Sequence, residues 1–213
     1  MDNNKETSTR VTKTIIILSI IVAALSAYIL LNFELAEKPL AGQGGDVNNA
    51  ALIGGDFVLT DHNGDEFNSK EKFQGKLTLV YFGFTYCPDI CPTSLQKLTN
   101  VLETLDKYQI DVQPLFVTID PSRDNQALLK EYLGHFHPKF IGLTGTEETI
   151  KEVADLYKVF YAKAAVAPGH DPAKYMMDHS SFVYLMGRDG KYMKHFYMSS
   201  TPEEIIEYIR INK

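Results

Sequence analysis

The sequence has few cysteines and no excess of basic residues, and each shortage excludes a class of protein. Two cysteines among 213 residues are too few for a fold stapled by disulfides, so a hydrophobic core must stabilise the domain. Lys and Arg number 21 against 27 Asp and Glu, a net charge of −6 without a basic patch, which argues against a nucleic-acid partner. The apolar fraction of 45% and the charged fraction of 23% are typical of a globular chain, here one domain plus an anchor or tail.

One long uncharged apolar run stands near the N-terminus. Residues 14–33 read TIIILSIIVAALSAYILLNF, which is long enough to cross a bilayer as a helix. Lys5, Arg10 and Lys13 precede this run, and the next basic residue after it is Lys38. The positive-inside rule therefore predicts a cytoplasmic N-terminus over residues 1–13, a transmembrane anchor over 14–33 and an exported remainder.

A cleaved signal peptide is the alternative interpretation of the same run. Its apolar core is normally shorter, and no small-residue cleavage site follows the run. Asp2 and Glu6 disfavour a mitochondrial transit peptide. The polar, Gly-rich residues 34–53 are typical of a flexible linker, and both surviving interpretations export the domain over residues 54–213.

Strand and helix patterns alternate through residues 54–213. A hairpin with an Asn-Gly turn, two buried apolar strands, amphipathic helices, a second hairpin and a terminal helix follow one another. These elements are expected at Asp56–Phe67, Leu77–Phe84, Pro92–Leu105, Val112–Ile119, Asn125–Leu133, Phe140–Leu143, Glu147–Tyr157, Ser181–Phe196 and Pro202–Ile211. The alternation predicts an α/β fold with a mixed sheet flanked by helices.

The two cysteines, Cys87 and Cys91, stand between the first buried strand and the helix after it. A helix N-terminus favours thiolate over thiol, so we expect both sulfurs to be more acidic than a free cysteine. Thiolates are soft ligands that select Cu(I), Zn or Fe–S centres. The spacing alone leaves three interpretations open: a structural disulfide, a redox-active dithiol and a metal site.

A third metal ligand is best sought among the histidines near the long segment from Lys163 to Met177. His179 ranks first because it directly precedes a predicted strand, and His170 ranks second. A solvated loop histidine is the alternative for each. The segment from Asp120 to Asp124 ends the second buried strand, at the sheet edge that carries the cysteines, and either Ser122 or Asp124 is expected to cap the next helix.

Four sequence blocks resemble the Sco/SenC family. They are YFGFTYCPDICP from Tyr81 to Pro92, IDPSRD from Ile119 to Asp124, GLTG from Gly142 to Gly145 and DHS from Asp178 to Ser180. The resemblance implies a thioredoxin-like fold that binds one copper ion, Cu(I) or Cu(II), through Cys87, Cys91 and His179. Met176 and Met177 are near His179 and add a conceivable thioether contact, with loop packing as the alternative.

The family resemblance also implies a function. Members help assemble the binuclear copper site of cytochrome c oxidase subunit II by delivering copper, by reducing the cysteines of that site, or by both. We therefore expect primarily a metallochaperone, anchored in the bacterial inner membrane with its domain in the periplasm, or alternatively in the mitochondrial inner membrane. The competing hypothesis is a membrane-anchored thiol–disulfide oxidoreductase that needs no metal, in which Cys87 and Cys91 are the redox-active pair.

Overall fold

The computed structural model describes residues 19–20, 22–28, 53–165, 171 and 175–213. The chain divides into two compact units, Met1–Ala50 and Ala51–Lys213. In the first unit, residues 19–20 and 22–28 are helical. Within the described residues no helix has both the length and the apolar character needed to span a bilayer. The rest of the predicted anchor, and nearly all of the predicted linker, lie outside the described residues.

The second unit is built around a mixed sheet flanked by helices, as the sequence predicts. The strands in the described part of the chain are β1 Val58–Asp61, β2 Glu66–Asn68, β3 Leu77–Gly83, β4 Val112–Thr118, β5 Ile141–Thr144, β6 Tyr161–Lys163, β7 Met177–His179, β8 Val183–Met186 and β9 Tyr192–Phe196. Seven of them form this sheet in the order β2-β1-β5-β4-β3-β8-β9, and β6 pairs separately with β7. The helices are α1 Ser69–Lys72, α2 Ile90–Lys107, α3 Gln126–Leu133, α4 Glu147–Leu156 and α5 Pro202–Asn212.

The sheet core follows directly from the apolar patterns. Every residue of β3 is buried, as expected for a central strand, and β3 pairs in parallel with β4 and antiparallel with β8. Because β3 and β4 are parallel, the loops after their carboxyl ends lie at one edge of the sheet. Those two loops carry the cysteines and the Asp120–Asp124 segment.

Helix ends carry their own local signals. Thr201 begins α5 with a capping box, in which its side chain accepts from the Glu204 amide while the Glu204 carboxylate accepts from the Thr201 amide. The predicted cap of α3 is wrong, because Asn125, rather than Ser122 or Asp124, accepts from the Leu128 amide. Asp124 is instead engaged by the cysteine loop, as described below.

The structure departs from the sequence-based expectation around His179. A short antiparallel ladder, Tyr161–Lys163 with Met177–His179, occupies part of the segment expected to be a loop. His179 therefore ends β7, and β8 begins only at Val183. We call the paired strands β6 and β7 the histidine arm.

Candidate metal centre

The two cysteines occupy unequal positions at the entrance of α2. Helix α2 begins at Ile90, so Cys91 lies in its first turn rather than before it. Cys91 is fully buried and Cys87 is partly exposed, and neither is in a disulfide. The Cys91 amide donates to Cys87 Sγ at 3.4 Å, and the Tyr81 hydroxyl donates to Cys91 Sγ at 3.6 Å.

The pKa values of the two thiols move in opposite directions. A hydrogen bond from the Cys91 thiol, helped by amides at the start of α2, lowers the pKa of Cys87 to about 5. The same bond, together with burial, raises the pKa of Cys91. The expectation that both sulfurs are more acidic than a free cysteine is thus wrong for Cys91, whose proton is held by the neighbouring thiolate. At neutral pH the pair therefore consists of one thiolate, Cys87, and one thiol, Cys91.

His179 lies beside the buried sulfur. Its Nε2 is 3.9 Å from Cys91 Sγ, and its Nδ1 is 3.1 Å from the carbonyl oxygen of Ser180. The carbonyl can only accept, so Nδ1 carries the proton and Nε2 presents its lone pair toward Cys91. Burial lowers the pKa of His179, which favours the neutral, ligating form. The Phe84 ring contacts the imidazole edge-on at 5.9 Å between ring centres.

The Cys91–His179 separation matches the spacing that a metal requires of two donors, but the full set of three does not. Bond lengths and angles typical of sulfur and nitrogen ligands place two donors about 3.5–3.8 Å apart across a metal, close to the Cys91–His179 separation. Yet no group of three His, Cys, Asp or Glu side chains in the described residues is arranged to hold a metal ion as it stands. Cys91 and His179 are thus neighbours, and Cys87 lines the same cavity as His179, but the three predicted ligands do not converge on one point.

A cavity of about 590 Å³ opens beside the predicted ligands. Cys87 and His179 line it, together with Ile90, Phe160 and Met176, whose side chains are exposed. The thiolate and the imidazole are thus reachable from solvent through an apolar mouth. This arrangement permits direct contact with another protein.

The IDPSRD segment supports the cysteine loop. The Asp124 carboxylate accepts hydrogen bonds from the Thr85 amide at 3.0 Å, the Thr85 hydroxyl at 2.5 Å and the Thr118 hydroxyl at 2.7 Å. Thr85 stands two residues before Cys87, so this buried carboxylate fixes the loop that carries the exposed sulfur. Sequence reasoning placed Asp124 at the correct edge of the sheet but missed Thr85 and Tyr81, which have no distinguishing pattern.

The other candidates, His170, Met176 and Met177, and two further histidines have separate positions. His170 lies outside the described residues. Met176 is exposed at the cavity mouth, whereas Met177 is buried against the core. His62 accepts from the Gly142 amide at 2.8 Å, a structural role in the β1–β2 turn. His195 pairs with the Tyr192 hydroxyl at 2.6 Å on β9.

Comparison with known proteins identifies the family. The sequence model described as SCO1/SenC matches residues 45–211 of the chain. The chain belongs to the SCO1/SenC family. A SCO2-like protein of Rickettsia conorii is 54% identical over 200 residues, which cover 94% of this chain and 96% of the relative.

Solved Sco structures share the fold. ScoI of Bradyrhizobium japonicum, solved with copper bound, is 40% identical with a TM-score of 0.66, and the match covers 75% of this chain and 98% of ScoI. BsSco is described as a member of the Sco family of cytochrome c oxidase assembly proteins with a disulfide switch. It is 26% identical with a TM-score of 0.58, and the match covers 75% of this chain and 92% of BsSco.

Proposed function

We propose that this protein is a copper-binding assembly factor for cytochrome c oxidase. Cys87, Cys91 and His179 hold one copper ion as cargo, and the protein delivers copper to the binuclear site of subunit II, reduces the cysteines of that site, or does both. The observation that supports this most is the 3.9 Å approach of His179 Nε2 to Cys91 Sγ beside the second thiol.

The donor chemistry supports copper in particular. Two sulfurs and one imidazole form a soft set that suits Cu(I), and an added ligand would accommodate Cu(II). The low pKa of Cys87 means that one ligand is already deprotonated near neutral pH, so metal binding needs to release only the Cys91 proton. The open cavity gives a partner's ligands access for stepwise exchange.

Family membership supports the place of action. BsSco is described as belonging to a family of cytochrome c oxidase assembly proteins, and the structure of ScoI has copper bound. By the positive-inside argument, residues 1–13 are cytoplasmic, 14–33 anchor the chain in the inner membrane, 34–53 tether it, and 54–213 form the copper-binding domain in the periplasm. The mitochondrial inner membrane is the alternative location.

The decisive experiment is an anaerobic copper titration of the reduced full chain in detergent micelles. Cu(I) and Cu(II) are added separately in competition with a chromophoric chelator, and bound metal is counted per chain. The wild type is expected to bind one ion tightly. Cys87→Ser and Cys91→Ser are each expected to lose tight binding of both oxidation states, because each removes a thiolate donor.

His195→Ala is the matched control, since it removes an imidazole that lies on β9 and bonds Tyr192. This variant is expected to titrate like the wild type. A double Cys87→Ser, Cys91→Ser protein that binds copper with unchanged stoichiometry and affinity would exclude the proposed site.

A second candidate function is a metal-independent thiol–disulfide oxidoreductase. The asymmetry of the pair favours it, because the exposed Cys87 thiolate suits nucleophilic attack and the buried Cys91 suits resolution. In that reaction Cys87 attacks a partner disulfide and Cys91 then closes the Cys87–Cys91 disulfide, so the partner gains two electrons as this chain is oxidised. Metal-free protein that reduces a disulfide at equal rates with and without His179 would favour this function.

A further inference from the structure

Arg123 lies between the two segments that carry the predicted ligands. Its guanidinium carbon is 4.7 Å from the ring centre of Tyr86, the neighbour of Cys87, and 3.7 Å from that of Tyr175, which stands two residues before β7 of the histidine arm. Only 14% of the Arg123 side chain is exposed. Because a cation is attracted to an aromatic face, this one side chain couples the cysteine loop to the residues just before β7.

Polar contacts strengthen the connection to the arm. Arg123 Nη1 donates to the Tyr175 carbonyl oxygen at 2.9 Å, and Arg123 Nε forms an ion pair with Asp120. The Tyr175 hydroxyl donates to the same Asp120 carboxylate at 2.6 Å. We call Asp120, Arg123 and Tyr175 the arginine latch. Each member contacts the other two, and hydrogen bonds to charged groups are stronger than neutral ones.

Among the described residues, the histidine arm has few other attachments to the domain, chiefly an ion pair of Lys163 with Glu147 at 3.7 Å and the contact of His179 with the Phe84 ring. Its ladder is three residue pairs long, and among the residues of β7 only Met177 is buried. A cavity of about 100 Å³ lies between part of the histidine arm and the loop after β4. The residues that line it include Asp120, Ser122, Glu147, Lys163 and Met177. An element with little buried apolar surface opens at low cost. The latch therefore supplies much of what holds the arm in place.

The cysteines, in contrast, are on rigid structure. Cys91 is buried in the first turn of α2, and the loop before Cys87 is tied down through Asp124. A ligand must leave for a bound metal to pass to a partner. Of the three predicted ligands, His179 is the one on a short ladder with little buried surface, which is the kind of element that opens at low cost.

We propose that Arg123 is a positioning residue: by fastening Tyr175 it holds His179 beside the cysteines and sets how readily the imidazole departs during metal transfer. The effect on copper release rests on the proposed function, whereas the effect on the position of His179 rests only on the contacts of the arginine latch. Loss of the latch frees the arm, exposes the imidazole and speeds release of copper to an acceptor.

The test first measures imidazole exposure without metal. Reduced, metal-free full chain in detergent micelles is treated with diethyl pyrocarbonate, and the carbethoxylation rate of each histidine is read by peptide mass spectrometry. In Arg123→Ala, His179 is expected to react about tenfold faster than in the wild type, as loss of a charge-assisted hydrogen bond and a cation–π contact implies. The carbethoxylation rate of His195, which lies on β9, is expected to stay unchanged.

Three further variants separate positioning from general destabilisation. Arg210→Ala is the matched control, because it removes an arginine stacked 4.6 Å from the Tyr108 ring on another part of the domain. It is expected to leave the His179 rate unchanged. Arg123→Lys keeps a cation over the rings and should restore part of the protection. Tyr175→Phe keeps the ring but loses the bond to Asp120, so its effect should be smaller than that of Arg123→Ala.

Wild-type reactivity of His179 in folded Arg123→Ala protein would overturn the proposal. An equal rise in the carbethoxylation rates of His179 and His195 would overturn it too, since that pattern indicates destabilisation of the whole domain. Copper transfer gives the second readout: after loading, release of copper to an excess of chelator is expected to be about tenfold faster in Arg123→Ala. If the cysteine variants bind copper like the wild type, the proposed function fails. The carbethoxylation rates of the metal-free protein would still show whether the arginine latch holds His179 in place.

Discussion

Gly83 lies directly against Cys91. A Cβ atom placed on Gly83 would stand 2.9 Å from Cys91 Sγ and equally close to the Phe116 ring. The last residue of β3 must therefore lack a side chain for the buried sulfur to sit where it does. Since interiors are close-packed, no free space exists to absorb even one methyl group.

The first prediction follows from this contact. Gly83→Ala is expected to displace the Cys91 sulfur and to lower the free energy of unfolding by about 1–3 kcal/mol, the usual cost of overpacking. Copper affinity should fall with it, because the sulfur moves relative to His179. Urea denaturation and the anaerobic copper titration measure the two effects.

Gly142→Ala is the control for the Gly83 prediction. Its Cβ would stand 2.7 Å from a Leu133 methyl group, on β5 and away from the thiols. It should destabilise the fold by a similar amount and leave copper affinity unchanged. Equal losses of affinity in both variants would mean that overpacking acts through the whole domain rather than through the sulfur.

The second prediction concerns the Asp124 carboxylate. Asp124→Ala leaves the Thr85 amide and two hydroxyls without their acceptor, and each buried unsatisfied group costs about 1–3 kcal/mol. We expect lower stability in urea and a changed alkylation rate at Cys87, because the loop before it is released. Burial raises the pKa of Asp124, so a neutral acceptor is tolerated there and Asp124→Asn should be milder. Identical behaviour of the two variants would contradict the hydrogen-bonding role.

Much of the fold could be predicted from the sequence because its patterns are local. The uninterrupted apolar run of β3 indicated a strand buried on both faces, and Thr201 with Glu204 indicated the start of α5. The cysteine loop and the Asp120–Asp124 segment could be placed at one edge because parallel strands carry their following loops there.

The parts that could not be predicted depend on long-range contacts. The β6–β7 ladder consists of three-residue strands, too short to show a period, and it forms only because Tyr161 and His179 meet in space. The opposite pKa shifts of the two thiols arise from one shared hydrogen bond and from unequal burial, neither of which is visible in the spacing of Cys87 and Cys91. Tyr175 likewise has no distinguishing sequence pattern, because its role depends on Arg123, which stacks on its ring from a distant part of the chain.

The third prediction is the pH dependence of Cys87. Its pKa of about 5 in the folded chain is below the ordinary value of 9.0, so the folded state favours the thiolate. The contribution of this preference to the free energy of unfolding is fully present above pH 9, decreases as the pH falls from 9 to about 5, and is absent below about pH 5. Alkylation of metal-free protein should therefore show an inflection near pH 5 at Cys87, measured by mass spectrometry of the modified peptide.

Cys91→Ala tests the cause of that shift. The largest contribution to the low pKa of Cys87 is the bond from the Cys91 thiol, so its removal should move the inflection upward toward the ordinary value. Tyr81→Phe removes the hydroxyl bonded to Cys91 and leaves Cys87 its own donors, so it should move the inflection less. A wild-type inflection between pH 8 and 9 would contradict the thiolate assignment.

The fourth prediction separates the role of His179 from that of the sulfurs by using copper as a stabilising ligand. A ligand at 100 times its Kd raises the free energy of unfolding by about 2.7 kcal/mol, if it binds only the folded state. His179→Ala leaves two thiolates, which suit Cu(I) but not Cu(II), so stabilisation by Cu(I) should weaken and stabilisation by Cu(II) should vanish. Urea unfolding of the full chain with each ion measures this, and His195→Ala should retain both effects. Full stabilisation of His179→Ala by Cu(II) would show that the imidazole beside Cys91 is no copper ligand, and the short Nε2–Sγ approach would then reflect packing alone.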